Sequence, residues 1–90
     1  MVHVFIQGRV QGVYFRQNTQ KIAEKQNVKG WIRNLSDGRV EAVFEGNVSD
    51  VDKVIEWCRK GPVGAKVDDI KITEENYYNE YDEFKIISDL

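Results

Sequence analysis

Cysteine and histidine each occur once in this 90-residue chain, as Cys58 and His3. A lone cysteine cannot close an internal disulfide, and one cysteine with one histidine cannot make a Cys/His metal cluster. Neither a metal nor another cofactor is expected. No apolar run approaches the ~18 residues of a membrane span, and residues 1–20 lack the hydrophobic region of a signal peptide. These absences lead us to expect a soluble, cytoplasmic protein with no membrane partner, and a monomer. No linker, internal repeat or low-complexity tract divides the sequence. Residues 1–90 are therefore expected to form one domain, large enough for one core shared between a sheet and two helices.

The net charge of −2 conceals an asymmetry. Residues 1–40 carry seven basic and two acidic side chains, whereas residues 41–90 carry six basic and thirteen acidic ones. A slightly acidic chain is a poor general nucleic-acid binder, so no nucleic-acid partner is expected. A small anion would favour the basic first half.

That half contains Gly8-Arg9-Val10-Gln11-Gly12-Val13-Tyr14-Phe15-Arg16. Before it, Val2, Val4 and Ile6 alternate with His3, Phe5 and Gln7, the period-2 pattern of a strand covered on one face, which is expected to end at Gly8. After it, Phe15, Thr19, Ile22, Ala23 and Gln26 follow a helical spacing. A glycine turn running into a helix start exposes unpaired N–H groups at the positive end of the helix dipole, which suits a phosphate. Side chains of a helix lean toward its N-terminus, so Arg16 is expected to sweep back over the loop.

Gly30 precedes a second strand, Trp31–Leu35. The turn Ser36-Asp37-Gly38 leads into a third, Arg39–Glu45, in which Val40, Ala42 and Phe44 share a face. Ser49 or Asp50 is expected to cap a second helix, whose apolar stripe is Val51, Val54, Ile55 and Cys58 and which stops at Gly61-Pro62. A fourth strand is expected at Ile70–Thr73, with a bulge or late start near Asp68-Asp69 because Val67 is out of phase. Residues 74–83 read as an acidic, solvated connection, and Phe84 and Ile86 mark a short last strand.

The order βαββαβ plus a short terminal strand predicts an α+β, ferredoxin-like split-βαβ sandwich, an antiparallel sheet with two helices on one face. A right-handed crossover makes the first two strands parallel. The Gly8–Tyr14 loop and Asn34 are therefore expected at one rim, with Asn34 on the same face as Ile32.

The long first motif, followed by Gly30-Trp31-Ile32-Arg33-Asn34-Leu35-Ser36-Asp37-Gly38-Arg39-Val40-Glu41, closely resembles the two signatures of the acylphosphatases. Glu45-Gly46, Gly61-Pro62 with Ala65 and Val67, and Phe84-Lys85-Ile86 extend the resemblance over nearly the whole chain. It implies metal-independent hydrolysis of the carboxyl–phosphate bond of acyl phosphates to a carboxylate and inorganic phosphate. It further implies that Arg16 binds the substrate phosphate, that Asn34 orients the attacking water, and that the backbone of Arg9, Val10, Gln11, Gly12, Val13 and Tyr14 cradles the phosphate.

Taken singly, Arg16 is more readily a surface charge and Asn34 a turn residue; the two motifs together reverse that and favour function. Cys58 and His3 are expected to be structural, and Tyr77, Tyr78 and Tyr81 to pack over a sheet edge. A catalytically silent binding module is disfavoured because Arg16 and Asn34 are both present. An RNA-recognition domain would share the element order and display Phe5, Trp31 and Val43 on the open sheet face, but Glu41 and Glu45 occupy the strand where its basic-aromatic motif belongs. A phosphate loop of the Gly-x-x-x-x-Gly-Lys-Ser/Thr kind is excluded, since no Lys-Ser/Thr follows Gly12.

Overall fold

A computed structural model of the chain describes residues 1–76 and 80–90. Seven elements follow in order: β1 (Val2–Arg9), α1 (Phe15–Lys25), β2 (Lys29–Asn34), β3 (Val40–Glu45), α2 (Val48–Lys60), β4 (Lys66–Glu74) and β5 (Phe84–Ile86). They form a five-stranded sheet of order β4-β1-β3-β2-β5 with both helices on one face, the ferredoxin-like α+β arrangement. β1 is antiparallel to β3 and β4, and β2 is antiparallel to β3, while β5 runs parallel to β2. The sheet is therefore mixed at one edge rather than antiparallel throughout. β1 and β2 flank β3 in the same direction, so their C-terminal ends open onto one rim, as expected.

The side-chain period of a strand explains the core. Val4 and Ile6 of β1, Ile32 of β2, and Val40, Ala42 and Phe44 of β3 point toward the helices and are buried. Phe15, Thr19 and Ala23 of α1 and Val51, Val54, Ile55 and Cys58 of α2 meet them. Full burial stabilises each large aliphatic or aromatic side chain by about 1.5–3 kcal/mol. Phe44 and Phe84 stack at 5.6 Å, which fixes the short β5 against the core. Burial drives the Cys58 thiol up to about 12, so it is a packing group and not a nucleophile.

The other sheet face is built of polar and aromatic pairs. His3, Val43 and Trp31 stand side by side, as do Phe5, Glu41 and Arg33. The Arg33 guanidinium lies 5.2 Å from the Trp31 ring, and His3 bridges Glu41 (2.6 Å) and Glu75 (3.1 Å). The expected open aromatic face is thus present, but occupied by its own hydrogen-bonded groups, the Arg33–Glu41 ion pair among them. Glu45 is buried because its carboxylate accepts the N–H groups of Glu80 and Tyr81. Segment 74–83 is accordingly tied to the sheet where it is described, and not simply solvated. Tyr81 Oη accepts a hydrogen bond from Trp31 Nε1 at 3.2 Å, while Tyr77 and Tyr78 lie outside the described residues.

Several boundaries differ from expectation. β2 runs from Lys29 to Asn34 rather than Trp31 to Leu35, so Gly30 lies inside the strand and not before it, and β3 starts at Val40 rather than Arg39. β1 does not stop at Gly8: Gly8 pairs with Val67 and Arg9 with Lys66, across a register shift that leaves Asp68 as the extra residue of a bulge. A Cβ at Gly8, where φ is 134°, would lie 2.1 Å from the Lys66 carbonyl oxygen, so the glycine permits close strand approach rather than ending the strand. β4 runs through that bulge from Lys66 to Glu74, longer than Ile70–Thr73 at both ends. In α2 the N-cap position is Asn47, upstream of Ser49 and Asp50, because Val48 is already helical.

Candidate active site

Between β1 and α1 the chain must turn from the sheet into the helix layer, and each residue of that turn has a separate task. Arg9 is the last rung of the β1–β4 ladder, and its side chain is exposed. Val10 is 1% exposed and plugs the core, and Val13 packs partly against it. Gln11 donates through Nε2 to the carbonyls of Leu35 (2.8 Å) and Arg39 (2.9 Å), clamping the turn to the β2–β3 connection. Gly12 takes φ 75° with nothing within 4 Å of where a Cβ would stand, so the backbone conformation itself calls for glycine.

Tyr14 is also left-handed, at φ 62°, an uncommon state for a bulky residue. It stands at the N-cap of α1, and its carbonyl accepts from the Asn18 backbone N–H (3.1 Å) and from Asn18 Nδ2 (2.9 Å). Those two bonds hold the strained residue in place. The helical ladder begins at Asn18, so the N–H groups of Phe15, Arg16 and Gln17 have no intrahelical acceptor and carry the positive end of the helix dipole.

Arg16 and Asn34 both line a hollow of about 240 Å3 with Val10, Gly12, Tyr14, Phe15 and Gln17. Asn34 is there because alternation places it on the Ile32 side of β2, toward the helices. Its Oδ1 is buried and has no hydrogen-bond partner among the described residues. Such an orphan acceptor is costly, and the amide is left free to turn toward a ligand donor.

The tail beyond β5 completes the rim. It continues along β2, with Ile87 N–H on the Ile32 carbonyl and Leu90 N–H on the Asn34 carbonyl, both at 3.0 Å. This places Asp89 Oδ1 3.1 Å from Arg16 Nη1 and 3.3 Å from the Asn34 backbone N. Asp89 approaches from outside the hollow, whose lining does not include it. At the adjoining β2–β3 turn, the Arg39 backbone N–H and then the Arg39 guanidinium hold the Asp37 carboxyl below its ordinary value.

The structure thus brings Arg16, Asn34, Gly12, Tyr14 and Val10 around one space, and keeps Arg9, Gln11 and Val13 just outside it. Asp89, the Gln11 side chain and Asn18 escape sequence reasoning. Only Asn18 leaves a signal, since it lies four residues after Tyr14 on the same helical face.

A glycine turn, a helix start, an arginine and an unpartnered amide oxygen surround one hollow. The family model of the acylphosphatases matches residues 2–86. The chain belongs to the acylphosphatase family. It is 55% identical over 94% of its length to an acylphosphatase of Pyrobaculum aerophilum, covering 90% of that protein. It is 51% identical over 98% of its length to one of Syntrophus aciditrophicus, covering 92% of it. The crystal structure of acylphosphatase from Bacillus subtilis superposes with a TM-score of 0.92 at 36% identity, with 96% of each chain covered. Family, relatives and fold agree on an enzyme that hydrolyses acyl phosphates.

Proposed function

We propose that the chain cleaves the carboxyl–phosphate bond without a metal, using Arg16 to hold the phosphoryl group and Asn34 to place the attacking water. The carrying observation is the convergence of Arg16 and Asn34, from different elements, on the hollow lined by Gly12, Tyr14 and the start of α1. The N–H groups of the turn residues that line the hollow, Gly12 and Tyr14 among them, and those of the first helical turn supply donors to the phosphoryl oxygens. Arg16 retains donors beyond the one given to Asp89, and its guanidinium offers a fixed fork that matches two oxygens.

The chemistry asks for little more. Water oxygen bonds to phosphorus, the bond from phosphorus to the acyl oxygen breaks, and its electron pair leaves on a carboxylate. The water proton ends on the phosphate product. A carboxylic acid has a pKa of about 4, so the leaving group departs without a general acid. Position and electrostatics remain as the protein's contribution. The Asn34 amide supplies a donor and an acceptor for water without adding charge that repels the phosphate.

The test is hydrolysis of an aromatic acyl phosphate in EDTA-treated buffer, by ultraviolet absorbance, for the wild type, Arg16→Ala and Asn34→Ala, each checked for fold by circular dichroism. We expect turnover by the wild type and a loss in each variant on the order of 3 kcal/mol, about a hundredfold. Turnover that EDTA abolishes would sink the metal-free mechanism, and folded variants at wild-type rate would sink the residue roles.

A further inference from the structure

We infer that the acyl group of the substrate lies in a second hollow beside the phosphate site, and that Val63 and Lys60 select among acyl groups there. This rests on the acyl phosphate reading above. The hollow, about 540 Å3, is lined by the apolar side chains of Val13, Trp57, Pro62 and Val63 together with Tyr14, Lys60 and the polar Asn18, and it shares Tyr14 with the hollow that holds Arg16 and Asn34.

Three observations support it. First, the two hollows meet at a fixed point: the Tyr14 backbone is held left-handed by Asn18 while its side chain is 73% exposed. An acyl group leaving the phosphate passes over that ring. Second, the loop after α2 closes the far side. Gly64 faces Val13, with a built Cβ 3.8 Å from Val13 Cγ1, and this brings Val63, fully exposed, beside the cradle. Exposed apolar surface next to a polar reaction site is what a pocket for an apolar ligand group looks like.

Third, Lys60 stands in the last turn of α2 and has no carboxylate in ion-pair range among the described residues. Its charge, at the edge of a hollow where apolar side chains alternate with polar groups, complements an anionic group at the far end of the acyl moiety. The substrate class so described has an apolar body next to the acyl carbonyl and a carboxylate or similar anion beyond it. The hollow on the open sheet face, lined by His3, Trp31 and Glu75, lies by the first residue of the chain, at the opposite end of β1 from the cradle, and its His3 and Glu75 are already paired.

The experiment compares kcat/KM for acetyl, benzoyl and 4-carboxybenzoyl phosphate in the wild type, Val63→Ser and Lys60→Gln, with inhibition by inorganic phosphate as a control on the cradle. Both substituted side chains are exposed, so folding is retained. Acetyl phosphate turnover and phosphate inhibition are expected to stay at wild-type values in both variants. Val63→Ser should lower kcat/KM for both aromatic substrates about three- to tenfold relative to acetyl phosphate, the effect of losing part of an apolar contact. Lys60→Gln should lower 4-carboxybenzoyl relative to benzoyl phosphate about two- to fivefold, the scale of an exposed charge pair. If acetyl phosphate is hydrolysed and a substrate ratio does not move in the variant assigned to it, the role of that residue is overturned; if neither ratio moves, so is the hollow's. A wild type inert toward all three substrates instead overturns the reading on which the inference rests.

Discussion

Arg16 and Asn34 meet through a single atom: Asp89 Oδ1 lies 3.1 Å from Arg16 Nη1 and 3.3 Å from the Asn34 backbone nitrogen. One negative charge therefore stands beside the two residues proposed to handle a phosphate dianion. It steadies the guanidinium and repels the ligand. Asp89→Asn keeps a hydrogen-bonding oxygen and removes the charge. We expect the inhibition constant for inorganic phosphate to fall about two- to fivefold, a modest effect because the Asp89 side chain is 55% exposed. The measurement is competitive inhibition at low ionic strength, and an unchanged or raised constant would show that repulsion is not the larger effect.

Arg16→Lys separates charge from shape. Lysine keeps the positive charge but has no planar fork and cannot reproduce two parallel N–H bonds. The expected kcat loss is about a hundredfold, nearly that of Arg16→Ala, on the scale of one lost transition-state contact. Steady-state kinetics check it. Near wild-type kcat would mean that Arg16 acts as a point charge.

Gly8 and Gly12 should respond differently to alanine. At Gly12 the added Cβ meets nothing, and only the φ of 75° is penalised, so Gly12→Ala should cost about 1–3 kcal/mol of stability. At Gly8 the Cβ would stand 2.1 Å from the Lys66 carbonyl oxygen, and strain adds to a clash that parts β1 from β4. Gly8→Ala should cost about 4 kcal/mol or more. Urea unfolding of both variants gives the order, and a reversed order would contradict the bulge.

Glu41 makes stability fall in acid. Burial raises its pKa, but hydrogen bonds from Arg33 and His3 outweigh that, leaving it below the ordinary 4.5. The unfolded chain then binds the proton more readily than the folded one. The contribution is fully present above about pH 5 and is lost as pH falls through the lowered folded value. Melting temperature of the wild type should drop between about pH 5 and pH 3 more steeply than that of Glu41→Gln, even though the variant is less stable at neutral pH by about 1–3 kcal/mol. Parallel curves would remove Glu41 from the acid response.

Much of this is readable from residue order. Val4, Ile6, Val40, Ala42 and Phe44 declare their strand face by alternation, and the stripe Val51, Val54, Ile55, Cys58 declares α2 by helical spacing. The odd phase of Val67 announces the bulge at Asp68. What escapes are features set by a distant strand. Gly8 looks like a terminator because its reason for being glycine, the Lys66 carbonyl, lies far along the chain. Residues 74–83 read as a solvated connection because the carboxylate that holds the Glu80 and Tyr81 N–H groups belongs to Glu45, on a distant strand.

Local periodicity and two contiguous motifs suffice for the order of the elements and for the family, and they single out Arg16 and Asn34 as the proposed pair. Tertiary structure alone decided that both share the Asp89 carboxylate, that Gln11 clamps the turn to the Leu35 and Arg39 carbonyls, and that the loop carrying Val63 stands beside Tyr14. The physical reason is range: backbone propensity and side-chain period act over a few residues, whereas hydrogen bonds and shared hollows depend on which strand ends the packed sheet brings to one rim.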